Sequence, residues 1–193
     1  MECTYADYLK QKMMVKPQHI STLMQGVFPM QCKKHTRLLS PGQVCKKVFF
    51  VERGLLRLYA LDEAGKEHIV QFAPESWFIT ERESLYFSRH SRLYIDALED
   101  CQLSVFDQEY LDQASALSIE FRTYNEYLLQ NHIRQLQNRI VSLLGSTAES
   151  RYLEFLQLYP DLMQRVPQWM IASYLGMTPE SLSRVRRSLS KGS

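Results

Sequence analysis

The hydrophobic period of this chain changes once, at Phe106, and that change limits the fold more than any other feature. From Thr36 to Phe106 the apolar residues fall in short runs of period two, broken by turn signals. Val48-Phe49-Phe50-Val51 reads as a strand and Gly54 as a break. Leu55 to Leu61 reads as a second strand, with Leu56, Leu58 and Ala60 on one face. Asp62-Glu63-Ala64-Gly65-Lys66 makes a hairpin loop, and His68 to Phe72 returns from it. Leu93 to Leu98 and Cys101 to Phe106 are expected to form another strand pair, turning at Glu99-Asp100. Many short strands at close spacing predict an all-β roll or barrel.

Helical spacing precedes and follows this region. Ile20, Leu23, Met24 and Val27 form the stripe of a short helix over 17–28 that starts at Pro17. Asp107 is expected to cap a helix reaching about Ala114. A long helix is expected from Ser118 to Leu144, since no Gly or Pro interrupts it. Along it Leu129, Ile133, Leu136, Ile140 and Leu143 alternate spacings of four and three, the seam of a coiled coil. A seam this short also suits a helix packed on its own domain. Its place between a β domain and a basic helical end favours a homodimer. Ser146-Thr147-Ala148-Glu149 has the form of a capping box opening the next helix, which stops before Pro160.

Charge is placed unevenly. The chain has 23 basic and 21 acidic residues, yet Arg165, Arg184, Arg186, Arg187 and Lys191 face only Glu180 in the last stretch. A basic end on a near-neutral body suggests a polyanionic partner. The four cysteines, at positions 3, 32, 45 and 101, form no C-x-x-C pair and are expected to be reduced thiols without a metal. The five histidines show no ligand or catalytic spacing, and no nucleophile elbow, P-loop or paired-carboxylate motif is present. An enzyme and a cofactor are therefore not expected. No apolar run has the length of a membrane helix, and Met1-Glu2-Cys3-Thr4-Tyr5 lacks the layout of a signal peptide. A cytoplasmic protein without a membrane partner is expected.

The segment from Ile171 to Val185 carries the sharpest signal. Ala172 is small where two helices would cross, and Gly176 permits a positive φ at a tight turn. Thr178 would cap the second helix, with Pro179 at its first position. At 100° per residue Leu182, Val185 and Leu189 share one face, directed at Ile171 and Leu175. Glu180, Arg184, Arg187 and Lys191 share the other. A helix-turn-helix over 168–189 needs this division, one side for its partner helix and one for the major groove.

In that order, roll, long helix and helix-turn-helix resemble the Crp/Fnr family of transcription regulators. The resemblance is most specific in Ile171-Ala172-x-x-Leu175-Gly176-Met177-Thr178-Pro179-Glu180-Ser181-Leu182-Ser183-Arg184. It extends to Gly54, to Gly65-Lys66-Glu67-His68-Ile69-Val70 and to Ile95-Asp96-Ala97-Leu98-Glu99-Asp100. It implies an α+β chain divided as a β-roll sensor of cyclic-nucleotide-binding type with an N-terminal helix (1–116), a dimerisation helix (117–145) and a DNA-binding domain (146–193). It implies double-stranded DNA with an inverted repeat as partner, a homodimer, and RNA polymerase as protein partner. Glu180 and Arg184 would read base edges. Gln168, Thr178, Ser181 and Arg187 would lie near phosphates, and Pro179 stands where many members place a base-reading arginine. Residues 190–193 are too few for the β-hairpin wing that usually follows, so wing contacts are expected to be absent.

The family's nucleotide cassette departs from its pattern here. Glu81 falls at the glutamate position, but Thr80 replaces the glycine before it. Ser91 falls where the phosphate-binding arginine is expected, beside Arg89 and Arg92. These four, Glu81, Arg89, Ser91 and Arg92, are the candidate effector residues. A one-residue slip on a strand turns a side chain to the other face, so cyclic AMP is not the expected effector and an unidentified small molecule is. The alternative function is a ligand- or protein-binding module with the same roll that does not act on DNA.

Overall fold

A computed structural model describes residues 3–191, without the side chain of Lys191. Residues 1, 2, 192 and 193 lie outside the described residues, and with them part of the N-terminal and wing expectations. Two compact units divide the chain. The first runs up to Ala60 and from Val70 to Leu129, and the second joins Leu61–Ile69 to the chain from Gln130 onward.

The first unit is a roll of two four-stranded sheets. One has the order β1 (Phe28–Cys32), β8 (Cys101–Phe106), β3 (Val48–Arg53), β6 (Phe78–Ile79). The other has the order β2 (Arg37–Leu39), β7 (Tyr94–Ala97), β4 (Leu56–Leu61), β5 (Glu67–Ala73). Both contribute to a shared core that includes Phe49, Val51, Leu56, Leu58, Ile79, Ile95, Leu103 and Val105. The other side of the first sheet presents Val48, Phe50 and Phe106 to helices α1 (Tyr5–Gln11), α2 (Pro17–Gln25) and α4 (Gln108–Leu117). Covering on both faces explains why Val48-Phe49-Phe50-Val51 is continuously apolar rather than alternating.

Tyr5 lies at the centre of this second core. Its ring stacks on Phe106 at 5.1 Å and its hydroxyl accepts a hydrogen bond from Tyr110 at 3.2 Å. Burial first, and then Tyr110, push its phenol well above the usual value. On the second sheet Arg57 and Asp96 stand directly opposite on β4 and β7. Nε and Nη2 of Arg57 donate to the two carboxylate oxygens at 2.7 and 3.0 Å, and the guanidinium lies 4.1 Å above the Tyr59 ring.

The structure corrects the reading of the chain in several places. Leu93–Leu98 and Cys101–Phe106 are not a hairpin pair: β7 pairs with β2 and β4, while β8 pairs with β1 and β3. The turn between them crosses from one sheet to the other, close to Gly54. That glycine has φ +95°, and a Cβ there would meet the Asp100 carbonyl oxygen at 2.6 Å. The helix expected over 17–28 closes at Gly26, and Phe28 already belongs to a strand. The helix capped by Asp107 runs on to Leu117. The capping box expected at Ser146 does not form, and a single cap lies one residue later. The Ser146 N–H still donates to Ser142, so it belongs to the end of α5 (Ile119–Gly145), and Thr147 caps α6 (Ala148–Leu158) through the Ser150 N–H.

Candidate nucleic-acid interface

The second unit carries α6, α7 (Leu162–Arg165), α8 (Gln168–Tyr174) and α9 (Pro179–Lys191). Helices α6 and α8 both pack on α9. Leu182 is fully buried with Ile171, Ala172 and Leu175, as the helical spacing requires. Val185 and Leu189 are half-buried on the same face. Gly176 has φ +64°, and a Cβ there would lie 2.8 Å from a methyl of Leu143. Thr178 Oγ1 accepts from the Ser181 N–H at 3.2 Å, and Pro179 opens the helix where no amide hydrogen is needed.

The opposite face of α9 is open. Pro179, Glu180, Ser183, Arg184 and Arg187 line one shallow concavity. Arg184 donates to Ser181 Oγ at 3.2 Å, which holds its guanidinium over the first turn. The Glu180 carboxyl is held below the usual range, chiefly by the backbone N–H at the start of the helix, then by Thr178 and Arg184. It is therefore an ionised acceptor beside a fixed cationic donor at neutral pH. Gln168 and Arg187 are exposed, and the seven candidates lie on two consecutive elements of one motif. Ser183 was not picked out from the sequence. Its position four residues after Pro179 and four before Arg187 is the signal that places it on this face.

Helix α5 leaves an apolar stripe uncovered. Ile133, Leu136, Ile140 and Leu143 are 49, 40, 56 and 41% exposed, and Leu129 is half-buried.

The four effector candidates do not share one role. The Glu81 carboxylate caps α3 (Arg82–Phe87), accepting from the Glu83 and Ser84 N–H groups at 3.1 and 2.8 Å. Thr80 Oγ1 donates to the Lys47 carbonyl at 2.8 Å. Ser91 is buried, and its hydroxyl both donates to the Leu93 carbonyl and accepts from the Leu93 N–H. Residues 88–93 form a loop rather than a strand, so strand alternation does not set the direction of Arg92. Arg92 is exposed, and Arg89 pairs with Glu83 at 3.1 Å on the surface. Among the described residues no three His, Cys, Asp or Glu side chains are grouped to hold a metal ion, and no helix is long and apolar enough to cross a membrane.

A double-sheet roll, one long helix and a terminal helix-turn-helix define an architecture seen in known regulators. Residues 29–116 match the cyclic nucleotide-binding domain family. The solved structure of FixK2 from Bradyrhizobium japonicum shares the fold, with a TM-score of 0.71 and 21% identity, over 86% of this chain and 85% of that one. The chain is 26% identical to the transcriptional activator protein FnrA of Stutzerimonas stutzeri, over 79% of its own length and 66% of that protein's. It is 25% identical to the fumarate and nitrate reduction regulatory protein of Vibrio cholerae, over 79% and 65% respectively. The chain thus spans about two thirds of the length of these relatives. Over most of its length it resembles the Crp/Fnr family.

Proposed function

We propose that the chain is a sequence-specific DNA-binding transcription regulator acting as a homodimer. The observation that carries this reading is the two-sided α9: Leu182 is buried against α8, and Glu180, Ser183, Arg184 and Arg187 are presented together on the outside. Glu180 and Arg184 are the base-reading pair, by the chemistry of a carboxylate to a cytosine amine and a guanidinium to guanine. Gln168, Thr178, Ser181 and Arg187 are assigned to phosphates, and Pro179 shapes the entry of the helix. The stripe Leu129, Ile133, Leu136, Ile140 and Leu143 meets its copy in the dimer. The division into a sensor (1–116), a dimer helix (117–145) and a reader (146–193) belongs to the same proposal, with RNA polymerase as the protein partner. The relatives' names, an activator and a regulatory protein, support this reading over an enzymatic one.

Salt separates DNA binding from docking on an unrelated surface. Affinity for duplex DNA is expected to fall steeply as salt rises, by about three decades or more between 50 and 200 mM for several neutralised phosphates. Fluorescence anisotropy measures it, and an affinity indifferent to salt contradicts the reading.

The effector of the roll is proposed to be something other than cyclic AMP. The cassette's carboxylate is engaged by its own helix, Ser91 is satisfied locally, Arg89 is paired with Glu83 on the surface and Arg92 is exposed, so none of these four residues offers a buried cation to a cyclic phosphate. Calorimetric titration with cyclic AMP and cyclic GMP is expected to give no saturable binding at micromolar concentration. Saturable binding that is lost in Arg89→Ala or Arg92→Ala overturns this part of the proposal.

A further inference from the structure

A second set of contacts lies away from the open face of α9. Strand β5 is the edge of its sheet, and Glu67 and Ile69, two residues apart, direct their backbone groups to the same side. The Ser173 hydroxyl of α8 serves both. It donates to the Glu67 carbonyl at 2.8 Å and accepts from the Ile69 N–H at 3.0 Å. Arg139 of α5 completes the arrangement. Its Nη2 donates to the Ile69 carbonyl at 2.9 Å and to the Tyr174 carbonyl at 3.1 Å, and its guanidinium lies 4.1 Å above the Tyr174 ring. A cation at the last carbonyl of a helix also opposes the negative end of its dipole.

Arg139 is the neighbour of Ile140 and three residues from Leu136, so it stands on the same turns of α5 as the apolar stripe. One side chain therefore links the helix proposed to carry the dimer to the end of the first helix of the helix-turn-helix. The start of β5 is held in the same cluster by Ser173.

We propose that Arg139 and Ser173 are positioning residues that fix α8, and through it α9, on α5, and so set which half-site spacing the dimer accepts. This rests on the DNA-binding reading above. Two recognition helices read two half-sites together only when their separation is held near one helical turn, about 10–10.5 bp. A planar guanidinium that bonds two carbonyls and stacks on a ring suits that role, because its geometry is rigid where an ammonium's is not.

The test uses the full chain and duplexes selected by the wild type from a random pool, with the spacing then altered by about 1–2 bp. Fluorescence anisotropy gives the affinity for each spacing and for a single half-site, and light scattering gives the mass. The wild type is expected to prefer its selected spacing by about tenfold or more. In Arg139→Ala this preference shrinks to about twofold, with half-site affinity and dimer mass unchanged. Arg139→Lys is expected to fail to restore it, and Ser173→Ala to lose part of it. If Arg139→Ala does not fold, Arg139→Lys and Ser173→Ala carry the test alone. Variants that keep the wild-type preference overturn this proposal and leave the DNA-binding reading standing. Variants that lose half-site binding or dimer mass to the same extent as spacing preference overturn it also, since the cluster then only stabilises the fold. A wild type that selects no duplex overturns the DNA-binding reading itself.

Discussion

Ile133→Glu combined with Leu136→Glu is expected to give a monomer whose affinity for an inverted repeat is lower by about 10²-fold or more. Both side chains are exposed on α5, at 49 and 40%. They lie on one stripe with Ile140 and Leu143, at the spacing that pairs best with a copy of itself. Two carboxylates per chain in that seam would have to leave water without a partner, at a cost of several kcal/mol. The loss on DNA follows from geometry rather than from any lost contact. A dimer binds its second half-site as an intramolecular event, and avidity of this kind contributes about 10²–10⁴. Light scattering reads the mass and gel shift reads the affinity. A double variant that stays dimeric places the interface elsewhere.

Arg184→Ala is expected to lower specific affinity by about 1–3 kcal/mol, a factor of about 5 to about 150, and to relax preference at one base position. Arg184 lies beside Glu180 in the concavity of α9 and is steadied by Ser181. Arg187, one turn further along, is assigned to phosphate. Arg187→Ala is expected to weaken binding to all sequences more evenly. Affinities measured on a set of single-base variants of the preferred duplex separate the two patterns. If Arg184→Ala leaves that profile unchanged, the base-reading assignment is wrong.

The helix-turn-helix was legible because its constraints are local. Gly176, Thr178 and Pro179 each have a conformational reason within a few residues, and Leu182 lies on the face that the 100° period assigns to it. The roll was legible as a class but not in its pairing. Cys101–Phe106 follows Tyr94–Ala97 closely enough to suggest a hairpin, yet the turn at Glu99-Asp100 carries the chain to the other sheet. Nothing local distinguishes the two outcomes. Strand β1 was not anticipated, and its Pro29 is tolerated because β1 is the edge of its sheet. Helix α1 was not anticipated either. Its capping box at Thr4 and Asp7 was the available signal. The Arg139 and Ser173 contacts could not be read at all, since each joins residues dozens of positions apart.

In the proposed complex two copies of α9 read a two-fold symmetric duplex. The most direct test is to incubate the purified chain with a pool of random duplexes, recover the bound fraction and sequence it. Enrichment of an inverted repeat whose half-sites are about 10–10.5 bp apart is expected, with loss of preference at one base position per half-site in Arg184→Ala. Recovery of no enriched motif, or of a motif unaffected by Arg184→Ala, would contradict it.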